Sequence, residues 1–169
     1  MKFATVQGDI ARQRADALVN AAGTSVRMGS GVAGALRRGA NGPINDEATS
    51  KGPIDLGAVA VTGAYDLDAE YVIHAAAMPH YGDGRATADS IRDATVNALE
   101  MADDLGCESI VVPVLGTGAA GFSFEAGART VFEAIRDYEP DAVTDCRVIA
   151  YSADEYDTLE RIAERVRST

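Results

Sequence analysis

The run Ser109-Ile110-Val111-Val112-Pro113-Val114-Leu115 constrains this chain more than any other stretch. A short, continuous apolar run with no polar alternation reads as a strand buried on both faces, and such a strand needs helices above and below it. The neighbouring sequence supplies them. Ile91, Ala94, Ala98, Leu99, Ala102 and Leu105 recur at helical spacing with Asp93, Glu100 and Asp103 facing away, so a helix is expected from about Ala88 to Leu105, stopped by Gly106. A helix is expected over about Glu125 to Tyr138 and a strand over Arg147 to Tyr151. Ser152-Ala153-Asp154-Glu155 has the spacing of a capping box and opens a last helix through Leu159, Ile162 and Val166. Val59 to Thr62 and Tyr71 to Ala75 read as strands and as candidate neighbours, bounded by Gly57, Gly63 and Pro79. From about residue 70 onward the order is strand, helix, strand, helix, strand, helix. That order implies right-handed crossovers and an α/β sheet covered on both faces.

Upstream, residues 3 to 6 and Asp16 to Val19 read as short strands around a polar turn containing Asp9 and Arg12, and these two strands are expected to make the sheet mixed. A loop follows through Gly23 to Gly31, then a helix over Val32 to Arg38 and a second one after Pro43 through Ala48, with Gly39 and Gly52 as stops. The 169 residues fit one domain, 1–169, with no repeat or linker. No apolar run approaches the roughly 18 residues of a spanning helix, and nothing resembles a targeting segment, so a cytoplasmic protein is expected. Cys107 and Cys146 lie far apart without a neighbouring histidine and are expected as buried bystanders, and no cluster has metal-ligand spacing.

The chain opposes 26 acidic residues with 15 basic ones, of which only Lys2 and Lys51 are lysines. A net charge of −11 repels nucleic acid and anionic membrane surfaces, and the cations read as scattered instead of forming a stripe. Abundant aspartate with almost no lysine suits a salt-rich cytoplasm, where screening shortens repulsion to about 3 Å at 1 M. Stability should then rise steeply with molar salt, which unfolding curves at increasing potassium chloride would measure; a salt-independent curve rejects the idea.

Two segments match G-x-G-x-x-G: Gly29-Ser30-Gly31-Val32-Ala33-Gly34 and Gly116-Thr117-Gly118-Ala119-Ala120-Gly121. Each precedes an expected helix, where free backbone N–H groups and the positive end of the helix dipole hold phosphate and glycine permits close approach. One such loop is explained equally well as a tight turn; two in one small domain point to a pyrophosphate gripped from both sides. Neither loop ends in the Lys-Ser/Thr of a nucleoside triphosphatase. A Rossmann-type NAD enzyme is the nearer rival, but its glycines should follow the first strand directly, and roughly nine residues separate Asn20 from Gly29.

Taken in order, Gly8-Asp9-Ile10, Ala17-Leu18-Val19-Asn20-Ala21-Ala22, Gly29-Ser30-Gly31-Val32-Ala33-Gly34-Ala35-Leu36, Tyr71-Val72-Ile73-His74 and Val112-Pro113-Val114-Leu115-Gly116-Thr117-Gly118 resemble a macro domain over nearly the whole chain. The resemblance implies a three-layer α/β/α sandwich with a mixed, mostly parallel central sheet and a cleft for ADP-ribose. It implies that Asp9, supported by the Ile10 backbone, accepts the adenine amino group and that Tyr151 packs beside adenine. It implies that Gly29, Ser30, Gly31 and Val32, with Gly116, Thr117, Gly118, Ala119, Ala120 and Gly121, embrace the diphosphate and distal ribose. No cofactor is implied. The partner is ADP-ribose or a derivative, free or carried on an ADP-ribosylated protein.

The chain departs from the family's hydrolytic members. Gly23 stands where Asn-Ala-Ala-Asn members hold the distal ribose, Met28 where many have histidine, Ala33 where de-ADP-ribosylating members have aspartate, and Ala120 where an aromatic is common, with Phe122 two residues later as a substitute. Cleavage of an ADP-ribosyl bond needs a positioned water and stabilised charge at the anomeric carbon. Three functions therefore stay open: hydrolysis of ADP-ribose 1''-phosphate, O-acetyl-ADP-ribose or an ADP-ribosyl linkage; non-catalytic recognition; and a Rossmann-type NAD enzyme. The remaining candidates for chemistry are Asn20, beside the cleft at a strand end or tying the loop together, and His80, Tyr81 and Asp83 in a polar loop. His74, within Val-Ile-His-Ala, reads as a satisfied core histidine.

Overall fold

The computed structural model describes residues 1–80, 83–117 and 121–169. In chain order the elements are β1 (Ala4–Gln7), a 3-10 turn (Ile10–Arg12), β2 (Ala17–Gly23), α1 (Gly31–Ala40), α2 (Ile44–Ser50), β3 (Val59–Gly63), β4 (Tyr71–Met78), α3 (Ala88–Asp104), β5 (Ser109–Pro113), α4 (Phe124–Asp137), β6 (Asp145–Ala150) and α5 (Ala153–Arg167). The sheet order is β1-β6-β5-β2-β4-β3, and every pairing is parallel except β3 with β4.

Side chains alternate across the strands and so feed two cores. Val19, Ile73, Ile110, Val112 and Val148 point to the side covered by α3, α4 and α5; Leu18, Val72, Val111 and Ile149 point to the side covered by α1, α2 and the 3-10 turn. This is the expected three-layer sandwich, and the both-face burial of Ile110 to Val112 is what made that run legible. Among the described residues no helix is long and apolar enough to cross a membrane.

Some expectations are corrected. The early strands do not make the sheet mixed: β1 and β2 are parallel to their neighbours and lie apart, with β6 and β5 between them, because the 3-10 turn carries the chain across the sheet end instead of folding it back. The antiparallel member is the edge strand β3, whose exposed side is occupied by the Lys51 ammonium on the Val61 carbonyl and the Glu47 carboxylate on the Gly63 amide. Strand β2 runs on through Gly23, whereas Val114, Leu115 and Tyr151 fall beyond the ends of β5 and β6. Ser152 does accept from the Glu155 amide at 3.2 Å at the start of α5.

Asp103, expected to face away, instead ties the end of α3 to the α4–β6 connection. Its carboxylate accepts from the Tyr138 hydroxyl and from the amides of Asp141 (3.1 Å), Ala142 (2.8 Å) and Val143 (2.9 Å). Burial pushes its pKa up, but these donors together outweigh burial and hold the carboxyl below its ordinary range. Asp103→Ala should cost about 2 to 3 kcal/mol in denaturant unfolding at neutral pH, since charge-assisted bonds vanish and the amides lose their acceptor. A depressed carboxyl pKa stabilises above the unfolded value near 4 and is lost as pH falls through the folded one, so wild type and variant should converge only in acid.

Candidate functional site

Five connections meet at the carboxyl edge of the parallel strands, where an open α/β sheet leaves a crevice. They enclose a cleft of about 890 Å³. Strands β2 and β5 share only the register pairs Ala17–Ile110 and Leu18–Val111; beyond these they part, and Ala21, Ala22, Pro113 and Val114 line the cleft where they do. Strand order lays out the walls in sequence: Asp9 and Ile10 after β1, Tyr151 and Glu155 after β6, Gly116 and Thr117 after β5, the Gly23 to Val32 segment after β2, and His80 after β4.

The first glycine loop enters α1 with its cleft side bare. A Cβ built on Gly29 or Gly31 meets nothing within 4 Å, Gly31 has φ +61°, and the Ser30 hydroxyl at the N-cap makes no capping bond. The first amides of α1 lack helical acceptors, as at any helix start, so they are available to an anion. Gly34 serves packing instead: its Cβ would lie 2.9 Å from the Gly29 carbonyl, so only glycine lets the loop fold onto its own helix. Arg38 lies along α1 with Nη1 3.2 Å from that same Cβ position. In the second loop Gly116, at φ +75°, would place a Cβ 2.7 Å from Ile91, so glycine there lets the loop press against α3. Gly118, Ala119 and Ala120 lie outside the described residues. Gly121 and Phe122 are described but do not line the cleft; Phe122 packs half-buried against the α3–α5 core.

Asp9 lies where the 3-10 turn meets the cleft. Oδ1 accepts from the Ala11 amide at 2.9 Å and caps the 3-10 turn, while the residue also lines the cleft. Tyr151 is no core residue: it is 76% exposed at the cleft, which Glu155 in the first turn of α5 also lines. The loop after β4 reaches the cleft through His80, whose amide donates to Thr24 Oγ1 at 3.0 Å. Asp83 is exposed and does not line the cleft, and Tyr81 lies outside the described residues.

Asn20 is not at a strand end. It sits within β2, fully buried and away from the cleft lining, with Nδ2 2.9 Å from His74 Nδ1. His74 Nε2 lies 2.9 Å from Thr62 Oγ1, and Thr62 Oγ1 donates to the Gly63 carbonyl at 3.0 Å. With its proton committed there, Thr62 accepts from His74 Nε2–H, and Nδ1 accepts from Asn20; the ring is neutral and satisfied, as expected. Burial pushes its pKa down to about 4, with Lys51 lowering it further and Glu47 opposing. Of the four replaced family positions, Gly23 and Ala33 line the cleft and Ala120 lies outside the described residues, whereas Met28 is buried in the core and pinned through its amide to Asn45 Oδ1 and its carbonyl to Arg37.

Four polar lining residues were missed by sequence reasoning: Ser25, Arg27, Arg38 and Glu155. Their signal was available. In so acidic a chain, cations on both sides of a glycine run are conspicuous, yet they read as scattered because positions 27 and 38 come onto one cleft only after folding. Val26, between Ser25 and Arg27, takes φ +53° while filling a buried cluster with Ala22 and Ala60, a conformation disfavoured for a β-branched residue. That turn sets the two flanking residues on the cleft.

The sequence model of the Macro domain matches residues 19–131. A macro domain-containing protein of Caldanaerobacter subterraneus is 31% identical over 98% of this chain and 97% of its own length. An uncharacterised protein of Mycobacterium tuberculosis is 39% identical over 137 residues; the chain spans 81% of itself in that match but only 38% of the longer mycobacterial protein. Among solved structures, the Trypanosoma brucei macrodomain in complex with ADP-ribose is 28% identical with a TM-score of 0.84, covering 94% of this chain and 68% of that one.

Proposed function

The chain belongs to the macro domain family, and on that premise we propose that its cleft binds ADP-ribose or a derivative, with adenine at the Asp9 and Tyr151 end and the diphosphate between the glycine loops. The observation that carries this reading is the linear order of the cleft walls. A hydrogen-bond acceptor and an exposed aromatic ring stand at one end, and the bare first glycine loop stands in the middle with Gly116 and Thr117. The Trypanosoma brucei macrodomain, solved with ADP-ribose, supports it.

Calorimetric titration with ADP-ribose and NAD tests the proposal: ADP-ribose should bind more tightly, and the reverse preference would return the Rossmann-type alternative. Asp9→Asn keeps an oxygen for the Ala11 amide but turns a donor toward the adenine amino group. Affinity for ADP-ribose should fall by about 1 to 3 kcal/mol, and an unchanged value rejects the adenine assignment.

Hydrolysis is the finer part of the proposal. His80 is an imidazole on the cleft wall and the candidate acid or base for a derivative such as ADP-ribose 1''-phosphate or O-acetyl-ADP-ribose. The non-catalytic reading draws on Gly23 and Ala33, which offer no polar side chain to a water, and on Met28, whose place in the core keeps it from the ligand. Release of phosphate or acetate on incubation decides between the two, with His80→Gln as the comparison.

A further inference from the structure

The cleft is lined by charge of opposite sign at its two ends. Arg27 stands over β2 and Arg38 flanks the first glycine loop; Asp9 and Glu155 stand over β1 and β6. Among the described residues neither Arg27 nor Arg38 forms an ion pair, and their place on the cleft wall leaves that charge to a ligand.

Because β6 lies between β1 and β5, whatever joins a base at Asp9 to a diphosphate at Gly116 must pass over β6. In ADP-ribose that connecting group is the adenosine ribose. The residue waiting there is Glu155, in the first turn of α5, exposed and on the cleft wall; one of its oxygens, Oε1, is 3.4 Å from the Ser152 hydroxyl. A carboxylate at an adenosine ribose accepts from the free 2'-hydroxyl and repels a 2'-phosphate, whereas sites for 2'-phosphorylated dinucleotides put arginine there. Arg27 lies over β2, across the diphosphate from β6, so it does not compensate.

We propose that Glu155 is a specificity-determining residue that restricts the cleft to ADP-ribose derivatives with an unsubstituted adenosine ribose and excludes those bearing a 2'-phosphate. This rests on the orientation proposed above, with adenine at Asp9. The reaction that supplies the ligand must then cleave a nicotinamide dinucleotide lacking the 2'-phosphate.

The test is calorimetric titration of the wild type, Glu155→Gln and Arg27→Gln with ADP-ribose and with ADP-ribose 2'-phosphate. In the wild type the 2'-phosphate should bind at least tenfold more weakly than ADP-ribose. Glu155→Gln retains the Ser152 contact but loses the charge, and the two ligands should then bind within about threefold of each other. Arg27→Gln should weaken both ligands alike and leave their ratio unchanged. Equal affinities in the wild type, or a ratio that Glu155→Gln does not move, would overturn the assignment. No binding of ADP-ribose to the wild type would remove the underlying function itself, a distinguishable failure.

Discussion

A valine at position 29 is expected to abolish ADP-ribose binding, lowering affinity at least hundredfold, while the protein unfolds within a few degrees of the wild type. The glycines of this chain are unequal, and that inequality carries the prediction. Gly29 is on the cleft wall, is absent from the positive-φ glycines, and its Cβ meets nothing within 4 Å, so a side chain costs the fold little and protrudes into space the ligand needs. Overlap with a diphosphate and loss of its approach to the backbone amides forfeit several charge-assisted bonds, and a hundredfold loss is only about 2.7 kcal/mol. Gly34→Ala and Gly116→Ala are the controls of opposite kind. Their Cβ atoms would lie 2.9 Å from the Gly29 carbonyl and 2.7 Å from Ile91, so both should lower the melting temperature as well as binding. If Gly29→Val binds ADP-ribose normally, the diphosphate does not lie on this loop.

The second large effect concerns acid. His74 is neutral in the fold with its pKa pushed down to about 4, whereas the unfolded chain protonates near 6.5. Between those values the unfolded state takes up a proton that the folded state declines, so stability is complete above about pH 6.5 and falls as the pH drops toward 4. The loss amounts to roughly 3 kcal/mol across that window, a large share of a small domain's total. His74→Phe should be less stable at pH 7, because Asn20 and Thr62 lose their partner, but its stability should change far less between pH 6.5 and 4.5. Denaturant unfolding at the two pH values measures the difference. Equal slopes for wild type and variant would mean that His74 titrates in the fold like an exposed imidazole. Asp103 acts in a lower window, since its carboxyl protonates only below the ordinary range.

How much of the site was legible follows from how local each feature is. The glycine runs could be found because a phosphate-binding loop needs small residues at fixed spacing before a helix, and both requirements are written in adjacent positions. Asp9 was found through its family motif, and its capping of Ala11 is a contact two residues away. Arg27, Arg38, Ser25 and Glu155 were missed because no local pattern marks them, and only the folded cleft brings them around one site. Asn20 was misplaced because its strand was taken to end at Val19. The additional strand residues pair with β4, whose register through Ala22↔Ala76 no local pattern reveals.

The sequence by itself determined the layers: periodicity of 3.6 in the helices, a both-face apolar strand at Ser109 to Pro113 and strand-helix alternation after residue 70 leave little but a parallel sheet between helices. It also determined which backbone segments could approach a phosphate, because glycine acts through its own backbone. The tertiary structure decided which strands are neighbours, that β3 and not the early strands runs antiparallel, and where β2 and β5 part to open a cleft. It decided that Met28 is core and that Glu155 and Arg27 stand at opposite ends of one site. The division has a physical cause: helix propensity and glycine freedom are properties of a few consecutive residues, whereas strand order, burial and electrostatic direction arise from contacts between segments the chain brings together only once it has folded.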